Sequence, residues 1–173
     1  IPDAAALTLS CNLPSAVIAN RLADIHPGEN VAIVGCGPTG MMVLDIALHR
    51  GPGCVVALDK VAGRLQAAGG KGALPIDAGR EGWKEAALHQ TGGRGFDKVI
   101  EVVGYPETLQ TCLDIVRPGG TVAAVGVFTD TTFNLNLSDV FLRDITLHMN
   151  GFANVHRHAR ILRSGSRKNE QRR

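Results

Sequence analysis

Long apolar runs are missing from this sequence. None approaches the roughly 18 residues that a membrane-spanning helix needs, and the opening Ile1-Pro2-Asp3-Ala4-Ala5-Ala6 has no basic stretch of the kind that begins a secretory signal. Neither a bilayer-spanning nor a secreted protein is expected. Cysteine is sparse, four among 173 residues, and Cys11, Cys36, Cys54 and Cys112 form no C-x-x-C pair. That spacing argues against a disulfide scaffold or a zinc knuckle and reads as the reduced thiols of a cytoplasmic protein. The six histidines form no H-E-x-x-H pattern, and His156 and His158 fall in a basic tail rather than in a metal site. No Ser-His-Asp or paired-carboxylate constellation stands out. No repeat of fixed period is present, and tryptophan occurs once, as Trp83.

What is present is the composition of one globular domain, 45% hydrophobic and 20% charged, with 21 glycines that imply many tight turns. The net charge of +2 hides an asymmetry. Residues 157–173 hold seven Arg or Lys against one Glu, so the rest of the chain is net acidic. A tail with so few apolar residues is expected to be a disordered, solvated terminus; electrostatic binding is the alternative reading, and no nucleic-acid or membrane partner is expected.

Short β-branched runs alternate with helical stretches. Strands are expected at Asn30–Val34, Cys54–Leu58, Phe96–Glu101, Thr121–Val125 and Ile145–Met149, with a weaker one at Ala73–Ile76. Helices are expected at Gly40–Arg50, Ala62–Ala68, Gly82–Gln90 and Pro106–Val116, where apolar residues recur at helical spacing. Runs such as Val31-Ala32-Ile33-Val34 are apolar at every position, as strands covered on both faces require. The turns Arg50-Gly51-Pro52-Gly53, Thr91-Gly92-Gly93 and Arg117-Pro118-Gly119-Gly120 each close a helix. The expectation is a doubly wound α/β (Rossmann) fold with a six-stranded parallel sheet in the order 3-2-1-4-5-6. Residues 1–29 would form a lead-in segment and helix, 30–158 the dinucleotide-binding domain and 159–173 the tail.

Directly after the first strand comes Gly35-Cys36-Gly37-Pro38-Thr39-Gly40, opening a helix. Alone, G-x-G-x-x-G is a weak signal, since glycine-rich turns also serve as plain connections. In this context Gly35 permits the tight turn, Gly37 lets a pyrophosphate approach, and Gly40 lets helix pack on strand, with unpaired helical N–H groups facing the phosphates. Asp59 ends the second strand 24 residues after Gly35, where a carboxylate can accept from adenosine ribose hydroxyls. Its charge would repel a 2′-phosphate, favouring NAD over NADP, although Lys60 and Arg64 weaken that exclusion. The competing role for Asp59 is to cap the next helix, and for Arg64 a solvated helix face. Glu101, ending a strand near the ligand edge, reads as a loop-anchoring acid rather than a general base.

These residues, together with Val55-Val56-Ala57-Leu58-Asp59, Gly92-Gly93-Arg94-Gly95-Phe96-Asp97-Lys98-Val99-Ile100-Glu101 and Val116-Arg117-Pro118-Gly119-Gly120-Thr121-Val122, resemble the coenzyme domain of medium-chain, zinc-type alcohol dehydrogenases over about residues 1–158. The resemblance implies that Gly35, Cys36, Gly37, Pro38, Thr39 and Gly40 hold the pyrophosphate and that Asp59 and Arg64 hold the ribose. It places Val103 and Gly104 beside the adenosine end, and makes Val125, Gly126 and Val127 the segment that orients the nicotinamide carboxamide. Cys11 falls where the family places one zinc ligand, with the remaining ligands in a preceding domain, so the metal site is incomplete on this chain; Ser15 stands where Thr is frequent. The implied reaction is hydride transfer between an alcohol or carbonyl substrate and the nicotinamide. The chain is expected to be a fragment without its catalytic domain and inactive alone. Dimers through the edge strand Ile145–Met149 are implied as well. The alternatives are a non-catalytic NAD-binding module and an S-adenosylmethionine-dependent methyltransferase, which also carries a glycine loop and an acid after its second strand.

Overall fold

The computed structural model describes residues 11–150, together with Asp3 and Leu7. The tail at 159–173, with His156 and His158, lies outside the described residues. In chain order the elements are α1 (Asn12–Ala23), β1 (Asn30–Val34), α2 (Pro38–Leu48), β2 (Cys54–Asp59), α3 (Ala62–Gly70), β3 (Leu74–Asp77), α4 (Trp83–His89), β4 (Phe96–Glu101), α5 (Pro106–Ile115), β5 (Val116–Ala124), α6 (Leu137–Leu142) and β6 (Thr146–Met149). All pairs in the sheet are parallel, and the strand order is β3-β2-β1-β4-β5-β6. This is the doubly wound topology read from the sequence. No helix among the described residues is long and apolar enough to cross a membrane.

Strand side chains alternate between two apolar layers, and this alternation assigns each helix to a face. Val31 and Ile33 of β1 join Val55 and Ala57 of β2 beneath α1, α2 and α3, through Ala16, Ala19, Val43, Leu44 and Leu65. Ala32 and Val34 join Val56, Leu58 and Val99 against α4 and α5, through Ala87, Leu109, Cys112 and Leu113. Because β1 and β4 lie between both layers, Val31, Ile33, Val99 and Ile100 are almost wholly buried, each contributing about 2 kcal/mol of transfer free energy. Asn20 pins α1 to α2, its Nδ2 donating to the carbonyls of Ala16 (3.0 Å) and Val43 (3.2 Å).

Most boundaries differ from the sequence reading by a residue or two, and those of α2 and the start of β5 have a physical reason. Helix α2 begins at Pro38 rather than Gly40, since proline has no N–H to lose in a first helical turn. It ends at Leu48, with His49 as its cap; the His49 Nδ1–H donates to the Asp45 carbonyl at 2.7 Å, and Arg50 lies beyond the helix. Strand β5 starts at Val116, so Arg117-Pro118-Gly119-Gly120 belongs to the strand instead of a separating turn. The register with β4 shifts between Phe96 and Lys98, which accommodates the proline and two glycines where a regular ladder would break. Helix α6 was not expected. Its six residues bury nothing fully, and Arg143 fastens it from just beyond its end: the guanidinium donates to the carbonyls of Leu113 (3.0 Å) and Val116 and pairs with Asp139 (2.9 Å), while the Arg143 carbonyl accepts from Gly119 N–H at 2.7 Å.

At the amino ends of the central strands, Asp97 is 5% exposed and ties three elements. It accepts from Asn30 N–H (2.7 Å), Arg94 (3.1 Å) and Arg117 Nε (2.6 Å). Burial alone pushes its carboxyl up, but these donors and the two guanidinium charges outweigh it and hold the carboxyl below the usual range. A depressed folded pKa contributes stability above the unfolded value of about 3.9 that is lost as pH falls through the folded one. Urea unfolding of the chain between pH 3 and 7 should therefore show a falling midpoint below about pH 4. Asp97→Asn should cost about 2 kcal/mol at pH 7 and flatten that acid limb.

Candidate functional site

The carboxyl ends of β1, β2 and β4 open onto one cavity of about 480 Å³. It lies at the switch point of the sheet, where the chain passes from the β1–β2–β3 half to the β4–β5–β6 half. Of the residues singled out from sequence, Gly35, Gly37, Asp59, Arg64 and Val103 line it, with Trp83 and Thr108 on the far wall. Cys36, Pro38, Thr39, Gly40, Gly104, Val125, Gly126 and Val127 are not among its lining residues.

The turn from β1 into α2 shows what each glycine does. Gly35 has φ +103°, which side-chain-bearing residues rarely adopt, and a Cβ there would sit 2.5 Å from the Val103 side chain. A Cβ on Gly40 would drive into the carbonyl of Gly35, 2.9 Å from its carbon, so α2 can approach β1 only with glycine at this position. Gly37 is different. Its φ of −68° suits any residue, and a Cβ there meets nothing within 4 Å. Folding therefore gives no steric reason for glycine at 37, whereas an incoming ligand would use the open space. The first backbone bond into α2 is Met41 N–H to the Gly37 carbonyl at 2.9 Å, leaving Thr39 and Gly40 N–H without backbone partners among the described residues, at a positive helix end.

Asp59 proves to be both a ligand candidate and a tie. Its Oδ2 accepts from Cys36 N–H at 2.7 Å, fixing the glycine turn to β2, and its Oδ1 accepts from Lys60 N–H (2.8 Å) and Val61 N–H (2.9 Å) ahead of α3. Arg64 reaches to 3.6 Å from Oδ2, and the Asp59 side chain is only 8% exposed. A carboxylate offers about four lone-pair sites, so three donors leave room for roughly one more. The competing role, capping the next helix, is not what Asp59 does: Val61 is the N-cap of α3 and receives no side-chain cap, and the carboxylate instead holds the two residues that lead into the helix. Nothing local in the sequence marks the Cys36 contact, which depends on β1 and β2 lying in register.

Cys36 itself is buried, with Sγ 3.7 Å from the Leu58 carbonyl. Burial, and then the charge of Asp59, push its thiol up to about 12 against a smaller opposing effect of Arg64. Cys112 is raised by burial and by Glu101, and Cys54 by burial, so all three are protonated at neutral pH and are not nucleophiles.

At the next strand ends two loops cross. Glu101, wholly buried, accepts at Oε1 from Val103 N–H (2.8 Å), Gly104 N–H (2.7 Å) and Thr108 Oγ1 (2.7 Å), the loop-anchoring role read from the sequence. Gly104, at φ +100°, lies so close to the end of β5 that a Cβ would come 2.6 Å from the Val127 carbonyl carbon. Val125 is buried and Val127 is 63% exposed. The β5 end is therefore placed beside the β4–α5 turn, outside the cavity proper. Cys11 is exposed at the start of α1, and no group of three His, Cys, Asp or Glu side chains that could hold a metal occurs among the described residues. A zinc site that used Cys11 would draw its other ligands from elsewhere.

Comparison with known proteins agrees with this geometry. The family model for zinc-binding dehydrogenases matches residues 38–163. A probable zinc-binding alcohol dehydrogenase of Mycobacterium tuberculosis is 42% identical over 144 residues, covering 83% of this chain and 37% of that protein. An NADP-dependent isopropanol dehydrogenase of Thermoanaerobacter brockii is 34% identical over 74% of the chain and 37% of its own length. The crystal structure of an alcohol dehydrogenase from Thermus sp. ATN1 superposes with a TM-score of 0.81 at 35% identity, covering 87% of this chain and 44% of that one. The chain thus spans about two fifths of the length of these relatives. It belongs to the zinc-binding dehydrogenase family, and its described residues form a Rossmann-type α/β fold.

Proposed function

We propose that this chain is the coenzyme-holding part of a zinc-type alcohol dehydrogenase and binds NAD in preference to NADP. The observation that carries the reading is the space over Gly37: the turn is held by Gly35, Gly40 and Asp59, yet leaves its outer face and the N–H groups of Thr39 and Gly40 free at the switch point of the sheet. A pyrophosphate fits there by charge and by size. The adenosine would occupy the cavity between Asp59 and Val103, its ribose hydroxyl donating to the remaining acceptor site of Asp59. An NADP 2′-phosphate would have to approach that carboxylate, and of the two cations that could offset the repulsion, Lys60 and Arg64, the second is already turned toward Asp59.

Extended across the sheet edge, the dinucleotide would bring its nicotinamide toward Val125, Gly126 and Val127, where it would supply hydride acceptance from an alcohol carbon. This chain's own part is to bind and orient: the turn fixes the phosphates, Asp59 the ribose, and the β5 end the ring. Zinc, for which Cys11 is one candidate ligand, and a small alcohol or carbonyl substrate belong to the whole enzyme. The lead-in helix α1, the coenzyme domain from 30 to 158 and the tail beyond it form the domain plan that accompanies this reading.

A second copy of the chain is the proposed partner at the sheet edge. Among the described residues strand β6 pairs only with β5, and its Met149, with Leu137, Phe141 and Leu142 of the preceding α6, is more than half exposed. Phe141→Glu should shift sedimentation of a concentrated sample from dimer to monomer; a monomeric starting chain would remove this proposal.

Calorimetry with NADH and NADPH tests the main reading. NADH should bind at least about tenfold more tightly, and Asp59→Asn should narrow that ratio by relieving charge repulsion. Gly37→Ala should stay within about 1 kcal/mol of the parent stability yet lose at least tenfold in NADH affinity, because its methyl fills only the ligand space. Gly40→Ala should lose about 2 kcal/mol or more of stability by forcing α2 off β1. A folded chain that binds neither nucleotide would defeat the proposal.

A further inference from the structure

Glu101 carries an unresolved demand. One of its carboxylate oxygens is saturated, accepting three hydrogen bonds from the β4–α5 turn and the first turn of α5. The other, Oε2, is buried with no partner among the described residues. A bare carboxylate oxygen in a dry site costs free energy unless some state of the protein uses it. The group it faces is the end of β5: a Cβ placed on Gly126 would come 2.5 Å from Oε2 and 2.7 Å from the Gly104 Cα. The Glu101 main chain is tied there as well, its carbonyl accepting from Val125 N–H at 2.9 Å. The amides of Gly126 and Val127 have no partner among the described residues. An unpaired acceptor and two unpaired donors therefore lie at one crossing, between the wall of the adenosine cavity at Val103 and the segment next to it.

We propose that Glu101 is a positioning residue for the nicotinamide half of the coenzyme site: Oε1 locks the β4–α5 turn, and Oε2 is the acceptor on which the Gly126–Val127 backbone settles when coenzyme is bound. The inference rests on the coenzyme-domain reading and assigns the two oxygens to separate ends of the ligand. It explains why a wholly buried acid stands at this position. An amide would serve Oε1 equally well, but three donors converge there, so a glutamine would have to place its oxygen at Oε1 and its NH2 where Oε2 is. That arrangement sets donor against donor at Gly126 and Val127. The substitution should spare the turn and spoil the β5 end.

ADP-ribose, which has the adenosine and both phosphates but no nicotinamide, separates the ends. Binding of ADP-ribose and NADH to the whole chain and to Glu101→Gln would be measured by calorimetry, with amide proton–nitrogen spectra of both ligand complexes. The variant should hold ADP-ribose within about twofold of the parent and lose about tenfold in NADH affinity, the worth of one charge-assisted hydrogen bond. In the parent, the Gly126 and Val127 amide protons should move downfield with NADH and not with ADP-ribose, a readout that needs no variant to fold. Thr108→Val, which removes a contact to Oε1 and not to Oε2 and otherwise alters only the Tyr105 turn and the wall of the adenosine cavity, should weaken both ligands by the same factor. Equal loss of both ligands in Glu101→Gln, no loss of either, or a parent chain that binds NADH no better than ADP-ribose would each overturn the inference. Failure of the parent to bind ADP-ribose would instead overturn the coenzyme-domain reading beneath it.

Discussion

Backbone lies directly against backbone at the carboxyl edge of the sheet, and the site depends on nothing larger than hydrogen standing between the strands of chain. Gly40 rests on Gly35, Gly104 on Val127, and Gly126 on Gly104. The first contact brings the N-terminus of α2 over the end of β1, beside the cavity that Gly37 and Asp59 line. The other two bring the ends of β4 and β5 together, so that the walls of the two halves of the candidate site are a single backbone assembly. Packing of this kind cannot be adjusted by rotating a side chain. Its geometry is fixed by strand spacing and helix approach, which in turn rest on the two apolar layers on either face of the sheet.

Buried carboxylates hold this assembly at defined points. Asp59 ties the glycine turn to β2, Glu101 ties the β4–α5 turn to α5, and Asp97 closes the opposite end by joining the starts of β1, β4 and β5. Each accepts at least two hydrogen bonds from backbone or guanidinium donors, which is what makes an acid tolerable at such depth. Of the two acids at one edge, Asp59 lines the cavity while Glu101 is wholly buried behind it, and the acid at the other edge is committed to arginines. The same chemistry therefore fixes the turns around the cavity at one end of the strands and joins three strand starts at the other.

Much of this was legible in the sequence because it depends on local pattern. Uninterrupted apolar runs identify strands covered on both faces, the glycine turn marks the β1–α2 junction, and Asp59 follows at the distance that one helix and one strand require. What was not legible depends on register. That Asp59 reaches Cys36 follows from β1 and β2 pairing Val34 with Leu58, which no local spacing declares. Helix α6 escaped notice because it has no buried apolar stripe; it is held by Arg143 reaching carbonyls 27 and 30 residues away in sequence. The Arg117–Gly120 segment looks like a turn by composition and becomes strand because β4 offers a ladder with a register shift to receive it. The division of labour between the oxygens of Glu101 becomes visible only when two loops distant in sequence are seen to cross.

The thiol in the glycine turn has a consequence for the durability of the protein. A cysteine just before a helix N-terminus would ordinarily be at risk, because the positive helix end favours the thiolate that peroxides attack. Here Cys36 points inward to the Leu58 carbonyl and is pushed up to about 12 by burial and by the charge of Asp59. Burial, with help from the carboxylate that fastens the turn, thus keeps this sulfur as the thiol, the form that oxidants attack far more slowly than a thiolate.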